Sequence, residues 1–317
     1  MKGSDLPAAL VGLSHSPLIG RNDPAPDVLA AVDAATADVR SFVERFAPDL
    51  VVLYAPDHYN GFFYKDMPPF CLGTAASAVG DFGSASGELS VDGDAASAIA
   101  SGVLDRGVDL TISARMTVDH GFAQPLEVLF GGIDRVPVVP LFINSVARPL
   151  GPVARIRSLG TAVGLAAAEL DRRVLFVGSG GLSHDPPVPV LRGAPPRVAA
   201  ALIDGHHPTP EQRARGEARV VQAGREYAAG QTGMVPINPA WDNLVLDTFE
   251  RGVLQDVDGW TVDWMGAEGG GSGHEVRTWI AAYASLAATG PYAVTSRFYR
   301  PIPEWIAGFA ITTALPT

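Results

Sequence analysis

Seven histidines occur in the 317-residue chain, and four of them share one sequence context. His15 lies in LSHSPL, His58 in APDHYN, His120 in VDHGF and His184 in LFVGSGGLSH, each just beyond the C-terminal end of a predicted strand. Ligands of open α/β sheets bind at that edge, so parallel strands would open all four imidazoles toward one crevice. Imidazole suits Zn, Fe, Cu and Ni and is commonly combined with carboxylate. Asp57 and Asp119 each immediately precede a histidine, and Glu275 follows GGGSGH. The two aspartates are placed to orient a neighbouring histidine through its second ring nitrogen. Glu275 reads equally as a carboxylate in the first turn of a helix, where the dipole favours it.

Other chemistries find less support. His206 and His207 in DGHHPTP read as an exposed loop, and His274 as a structural or supporting group. No Lys-bearing P-loop is present, and no GxGxxG follows a strand. Ser179 and Ser183 in GSGGLS lack the GxSxG elbow of a serine nucleophile.

The elements that must position these groups alternate in type. Buried strands are expected over 8–13, 49–54, 108–113, 136–143 and 173–177, the fourth near an edge or bent because of its prolines. Helical spacing of apolar residues marks 26–46, 95–104, 124–130, 156–170, 211–228, 241–251 and 274–286. Strands alternating with crossover helices predict a mainly parallel sheet covered on both faces. The glycine-rich run 269–273 is too short for a domain hinge and suits close backbone approach. One continuous domain over 1–317 is expected.

Composition agrees. Nearly half the residues are apolar (47%) and the formal charge is −11, with Lys only at Lys2 and Lys65. A large core is therefore available, whereas a nucleic-acid surface built on clustered cations is not. Cys71, the single cysteine, excludes an intramolecular disulfide or a thiolate cluster and reads as a small buried hydrophobe. Neither a secretory leader nor an apolar stretch of membrane-spanning length is found. A cytoplasmic protein is expected.

Several longer stretches carry a family resemblance: APDHYNGFFY at 55–64, PPFCLG at 68–73, DFGSASGEL at 81–89, VDHGFAQPLE at 118–127, FVGSGGLSHDPPVP at 176–189, NPAWDN at 238–243 and RFYRPIPEWIAGF at 297–309. Together with LSHSPL they resemble the class III (LigB-type) extradiol dioxygenases over almost the whole chain. Residues 201–233 and 265–273 do not match that pattern. The resemblance implies a three-layer α/β/α sandwich with a mostly parallel or mixed sheet. It also implies Fe(II) held by His15, His58 and Glu275, with His184 as base and His120 as acid. Asp57 and Asp119 would support the ligands. The implied substrates are O2 and a catechol, 2,3-dihydroxyphenylpropionate or 2,3-dihydroxycinnamate, and the implied assembly is a homo-oligomer. Tyr59, Arg297 and Arg300 are expected near the substrate, and Phe62, Phe63, Tyr64 and Trp305 in an aromatic pocket. A zinc-dependent hydrolase and a noncatalytic metal-binding relative are the competing readings, separated from the first by a requirement for O2.

Overall fold

The computed structural model describes residues 7–205, 208–231 and 233–317, so His206 and His207 lie outside the described residues. Strands in chain order are β1 (Ala8–Leu13), β2 (Leu50–Ala55), β3 (Phe70–Gly73), β4 (Ala76–Val79), β5 (Ser86–Glu88), β6 (Thr111–Ser113), β7 (Met116–Val118), β8 (Val138–Ile143), β9 (Val174–Ser179), β10 (Tyr292–Ile302) and β11 (Ala307–Pro316). The helices are α1 (Pro26–Phe46), α2 (Gly93–Asp105), α3 (His120–Phe130), α4 (Val153–Ala168), α5 (Pro196–Asp204), α6 (Pro210–Ala228), α7 (Pro239–Arg251), α8 (Val262–Gly269) and α9 (Val276–Ala288). Among the described residues no helix is long and apolar enough to cross a membrane.

Eight strands form the central sheet in the order β10-β11-β1-β9-β2-β8-β3-β6. The β1, β9, β2 and β8 strands run parallel, which brings their C-terminal ends to one edge as the histidine spacing requires. Because side chains alternate across a strand, Leu10, Val52, Val139 and Phe176 meet the core with α2, α4 and α9. Val11, Leu53, Val138 and Val177 meet the opposite core with α1 and α3. Burial on both faces explains why these strands are continuous apolar runs rather than alternating ones. The predicted α/β/α layering is thus present, with a mixed sheet.

Two expectations are corrected. The VPVVPLFI strand lies inside the sheet, between β2 and β3, rather than near an edge. Its ladder with β3 stops at Leu141, one residue short of Pro140, whose missing N–H is therefore not needed there. His120 does not follow a strand of the main sheet: it follows β7, in a separate three-stranded sheet β5-β4-β7. Beyond the expected elements, β10 and β11 form an antiparallel pair and β11 joins β1. Cys71 is buried on β3 as expected.

The α9 helix is buried from Val276 to Leu286, between the sheet and α4. A helix buried all round and largely apolar is stable only in such a position. Close contact with α4 depends on two glycines. A Cβ at Gly160 would stand 2.2 Å from the Ala281 carbonyl oxygen, and one at Gly164 2.2 Å from that of Ser285. Gly164→Ala should therefore separate the helices and lower stability by about 1–3 kcal/mol, the usual cost of overpacking, read by urea unfolding. An unchanged midpoint would mean that the contact is soft.

Candidate active site

His15, His58 and His184 descend from the C-terminal ends of β1, β2 and β9, and His120 opens α3. Each imidazole has its Nδ1 engaged. The Ser179 hydroxyl donates to the Gly121 carbonyl at 2.6 Å, so at 2.9 Å it must accept from His15 Nδ1–H. His58 Nδ1 lies 3.0 Å from Asp119 Oδ2, and His120 Nδ1 lies 2.5 Å from Asp81 Oδ2. His184 Nδ1 donates to the Leu182 carbonyl at 2.9 Å. Hydrogen bonds of this kind set the tautomer and the ring plane. All four Nε2 atoms are thereby left for the cavity.

Three of them meet Glu275. Its carboxylate lies 3.1 Å from His58 Nε2, 3.2 Å from His184 Nε2 and 3.5 Å from His15 Nε2. His120 Nε2 is buried without a hydrogen-bond partner. Its ring stacks on His58 at 4.6 Å between centroids. The ligand atoms of His15, His58 and His120 also lie within 4.8 Å of one another. A carboxylate facing several imidazole nitrogens in a buried space is a donor set for a divalent cation, with neutral nitrogens and one anionic oxygen. The residues therefore fit a metal.

Electrostatics follow the same geometry. Burial, with His120 and His58 adding to it, pushes His15 down to about 3 against the pull of Glu275. His15 is thus a neutral nitrogen donor at neutral pH. Burial alone would lower His58 and His184, but Asp119 and Glu275 raise His58 well above its ordinary value and Glu275 raises His184. Burial would raise Glu275, yet His184 and His58 hold it well below the usual carboxylate range. Asp119 is held low in the same way by His58 and His120. Protons on two imidazoles here balance a buried carboxylate, the role that a bound cation would take over.

The loops that carry these groups are packed rather than flexible. The GSGG segment is buried, and a Cβ at Gly180 would come within 2.9 Å of Glu275 Cβ. The glycine-rich run 269–273 makes the close approach expected of it: His184 N–H donates to the Gly269 carbonyl and Ser272 N–H to the His184 carbonyl. Beneath His184, buried Asp242 accepts from the Ser183 N–H and hydroxyl at 2.7 and 2.8 Å and from Tyr299 at 2.7 Å. Thus the NPAWDN and RFYRPIPEW motifs hold the loop of GSGGLSH.

Asp119 orients a histidine, but it is His58, 61 residues away, rather than its neighbour His120. Asp57 meets no imidazole. It accepts from the backbone N–H groups of Asn60, Gly61 and Phe62, shaping the turn after His58. Burial and the adjacent Asp119 charge push it well above its ordinary value. Asp81 and Ser179, which hold His120 and His15, escape sequence reasoning as orienting groups. Their partners are distant in the chain, and only the DFGSASGEL and GSGGLS stretches mark their positions.

The cavity over these groups measures about 180 Å3, and its walls include Leu18, Phe82, Pro186, Val188, Trp305 and Ile306. Cavities of roughly 150 Å3 admit a benzene ring. Among the described residues its lining holds no Arg or Lys. Arg297 instead lies in a separate groove against α1, paired with Asp247 and Glu250, and Arg300 is exposed on β10. Tyr59 is buried against Tyr64 beside the site, with φ +58°, and Phe62 stacks on Phe142. Phe63 and Tyr64 pack around the same cluster of Tyr59, Ala147 and Leu202. Of the expected aromatics only Trp305 reaches the cavity; Phe82, edge-on to His120 at 5.2 Å, was not foreseen.

Loss of an orienting hydrogen bond typically weakens a metal site by about 10–100-fold. Ser179→Ala should show a loss of that size for a divalent metal in chelator competition, with an unchanged circular dichroism spectrum. Unaltered affinity would detach His15 orientation from metal binding.

Comparison with known proteins gives concordant results. The family described as the catalytic LigB subunit of aromatic ring-opening dioxygenase matches residues 9–310. A Rhodococcus sp. protein named 2,3-dihydroxyphenylpropionate/2,3-dihydroxicinnamic acid 1,2-dioxygenase is 60% identical over 310 residues, covering 98% of this chain and 99% of its own. Proteins of the same name from Mycolicibacterium smegmatis and Paraburkholderia phymatum are 54% and 51% identical. These cover 98% and 96% of this chain and 100% and 96% of their own. The chain therefore belongs to the LigB family of aromatic ring-opening dioxygenases.

Proposed function

We propose that this chain is an iron(II)-dependent extradiol dioxygenase acting on 2,3-dihydroxyphenylpropionate or 2,3-dihydroxycinnamate. Both atoms of O2 would enter a 2-hydroxy-6-oxo-dienoic acid product. The observation that carries this reading is the meeting of three imidazole Nε2 atoms at the buried Glu275 carboxylate, with His120 Nε2 beside them. The relatives' names supply the substrate class. His15, His58 and Glu275 would hold the metal as two neutral nitrogens and one carboxylate, leaving a face for substrate and O2. Bound there, iron(II) would exchange electrons with O2 and make a catechol hydroxyl more acidic.

The remaining steps belong to the protein's own groups. His184, with Nδ1–H held by Leu182, receives a catechol proton at Nε2. His120 delivers a proton from Nε2 where the O–O bond breaks, with Asp81 on its other nitrogen to balance the charge while that proton is held. Two histidines take opposite parts because their environments differ: one faces a carboxylate through Nε2, the other through Nδ1. The apolar wall from Pro186 to Pro189, with Trp305 and Ile306, keeps bulk water from the ring. A homo-oligomer belongs to the same reading and rests on the resemblance; one domain over 1–317 and a cytoplasmic location rest on the organisation of the sequence.

Protein reconstituted anaerobically with Fe(II) should consume one O2 per 2,3-dihydroxyphenylpropionate and form a coloured ring-opened product, with a higher kcat/KM than for plain catechol. No uptake at full iron occupancy would overturn the assignment. His120→Gln and His184→Gln should each lower turnover by about 10²–10⁴-fold, the usual share of general acid–base catalysis, while iron content is retained. Loss of iron in either variant would contradict the division of roles.

A further inference from the structure

Next to Glu275 in the chain are His274 and Arg277, which with Arg148 make three basic side chains outside the cavity lining, without an ion-pair partner among the described residues. Arg277, two residues along the same segment, is 1% exposed, and His274 is fully buried. Arg148, at the solvent side, donates from Nη2 to His274 Nε2 at 3.0 Å. Arginine can only donate, so His274 Nε2 is the acceptor and the proton of the neutral ring sits on Nδ1. That Nδ1–H has no partner. Arg277 spends Nη1 on the Gly151 carbonyl at 2.8 Å, while its Nε and Nη2 are buried and also unpartnered. Every unmet polar atom in the cluster is therefore an N–H donor.

The side-chain partners of these groups are basic or neutral: Arg148 for His274 and the Gly151 carbonyl for Arg277. Among the described residues no carboxylate forms an ion pair or hydrogen bond with any of the three. An unpaired buried cation is strongly disfavoured, and Arg277 also stands in the first turn of α9, where the helix dipole disfavours positive charge. Water satisfies donors but not charge. The pair packs closely on Gly266 of α8, where a Cβ would lie 3.2 Å from Arg148 Nη2 and 3.5 Å from His274 Nε2.

We propose that Arg277, His274 and Arg148 form a binding site for a small monovalent anion, a halide or a one-carbon carboxylate, entering past the exposed Arg148 side chain. The site is separate from the catechol cavity and independent of which metal or substrate that cavity takes. Occupancy offsets the buried guanidinium and secures the Gly273–Glu275 turn that presents the Glu275 carboxylate.

The full-length protein, prepared in sodium gluconate, whose anion is too bulky for an enclosed site, is titrated at constant ionic strength with chloride, bromide or formate. A saturable rise in Tm of about 3 °C is expected. Response to the halides but not formate identifies a halide site, and the reverse a carboxylate site. Since Arg277 variants threaten the fold, Arg148→Gln is the test substitution: it should raise the half-saturating anion concentration at least tenfold. Crystals grown in bromide should show an anomalous peak within hydrogen-bond distance of Arg277. A Tm indifferent to all three anions, an unchanged titration in Arg148→Gln, or bromide crystals without that peak would overturn the proposal.

Discussion

The site depends on one repeated constraint: every imidazole in it is tied down at Nδ1. Ser179, Asp119, Asp81 and Leu182 take the four Nδ1 atoms of His15, His58, His120 and His184. An untethered histidine can turn or change tautomer and present either nitrogen. With all four tethered, the Nε2 atoms are the ones left for chemistry, and three converge on a single carboxylate. The cost is the burial of several charged groups in a small space. It is met by pairing: Asp119 with His58, Asp81 with His120, and Glu275 with His58 and His184.

The fold brings these tethers together from distant parts of the chain. Parallel β1, β9 and β2 deliver three histidines to one edge, and a second small sheet delivers the fourth. Glu275 comes from the opposite direction, at the head of the buried α9, and reaches the site because glycines in GSGG and in 269–273 let backbone pass close to backbone. Packing of α9 on α4, far from the chemistry, therefore governs where the carboxylate sits. Small volume changes in such interiors are transmitted rather than absorbed.

Much of this was legible in the sequence, and the gaps have physical causes. Helix α1 was read at its observed bounds, because 21 residues of helical periodicity leave little ambiguity. His15, His58 and His184 come together as a strand end followed by histidine, a local pattern, suggests; Glu275, which meets them, is marked as their partner only by the family resemblance. Local pattern could not reveal that Asp119 serves His58 while Asp57 serves backbone, since both precede a histidine. Asp81 was invisible as an orienting group for the same reason: its contact with His120 spans 39 residues. The β10 strand escapes because exposed and half-buried residues break the apolar run that marks a core strand; β11 is buried, but its Gly and Thr residues interrupt the apolar pattern. Arg297 and Arg300 were drawn toward the substrate by charge alone, and the structure places them on another surface.

The central claim is that Glu275, not His120, completes the metal site with His15 and His58. Fe(II) affinity of Glu275→Gln and His120→Gln, each reconstituted anaerobically and measured by chelator competition, tests it most directly. A loss of at least about 10-fold is expected in Glu275→Gln, with near-native affinity in His120→Gln. Undiminished binding in Glu275→Gln together with loss in His120→Gln would place the metal among the three histidines and contradict it.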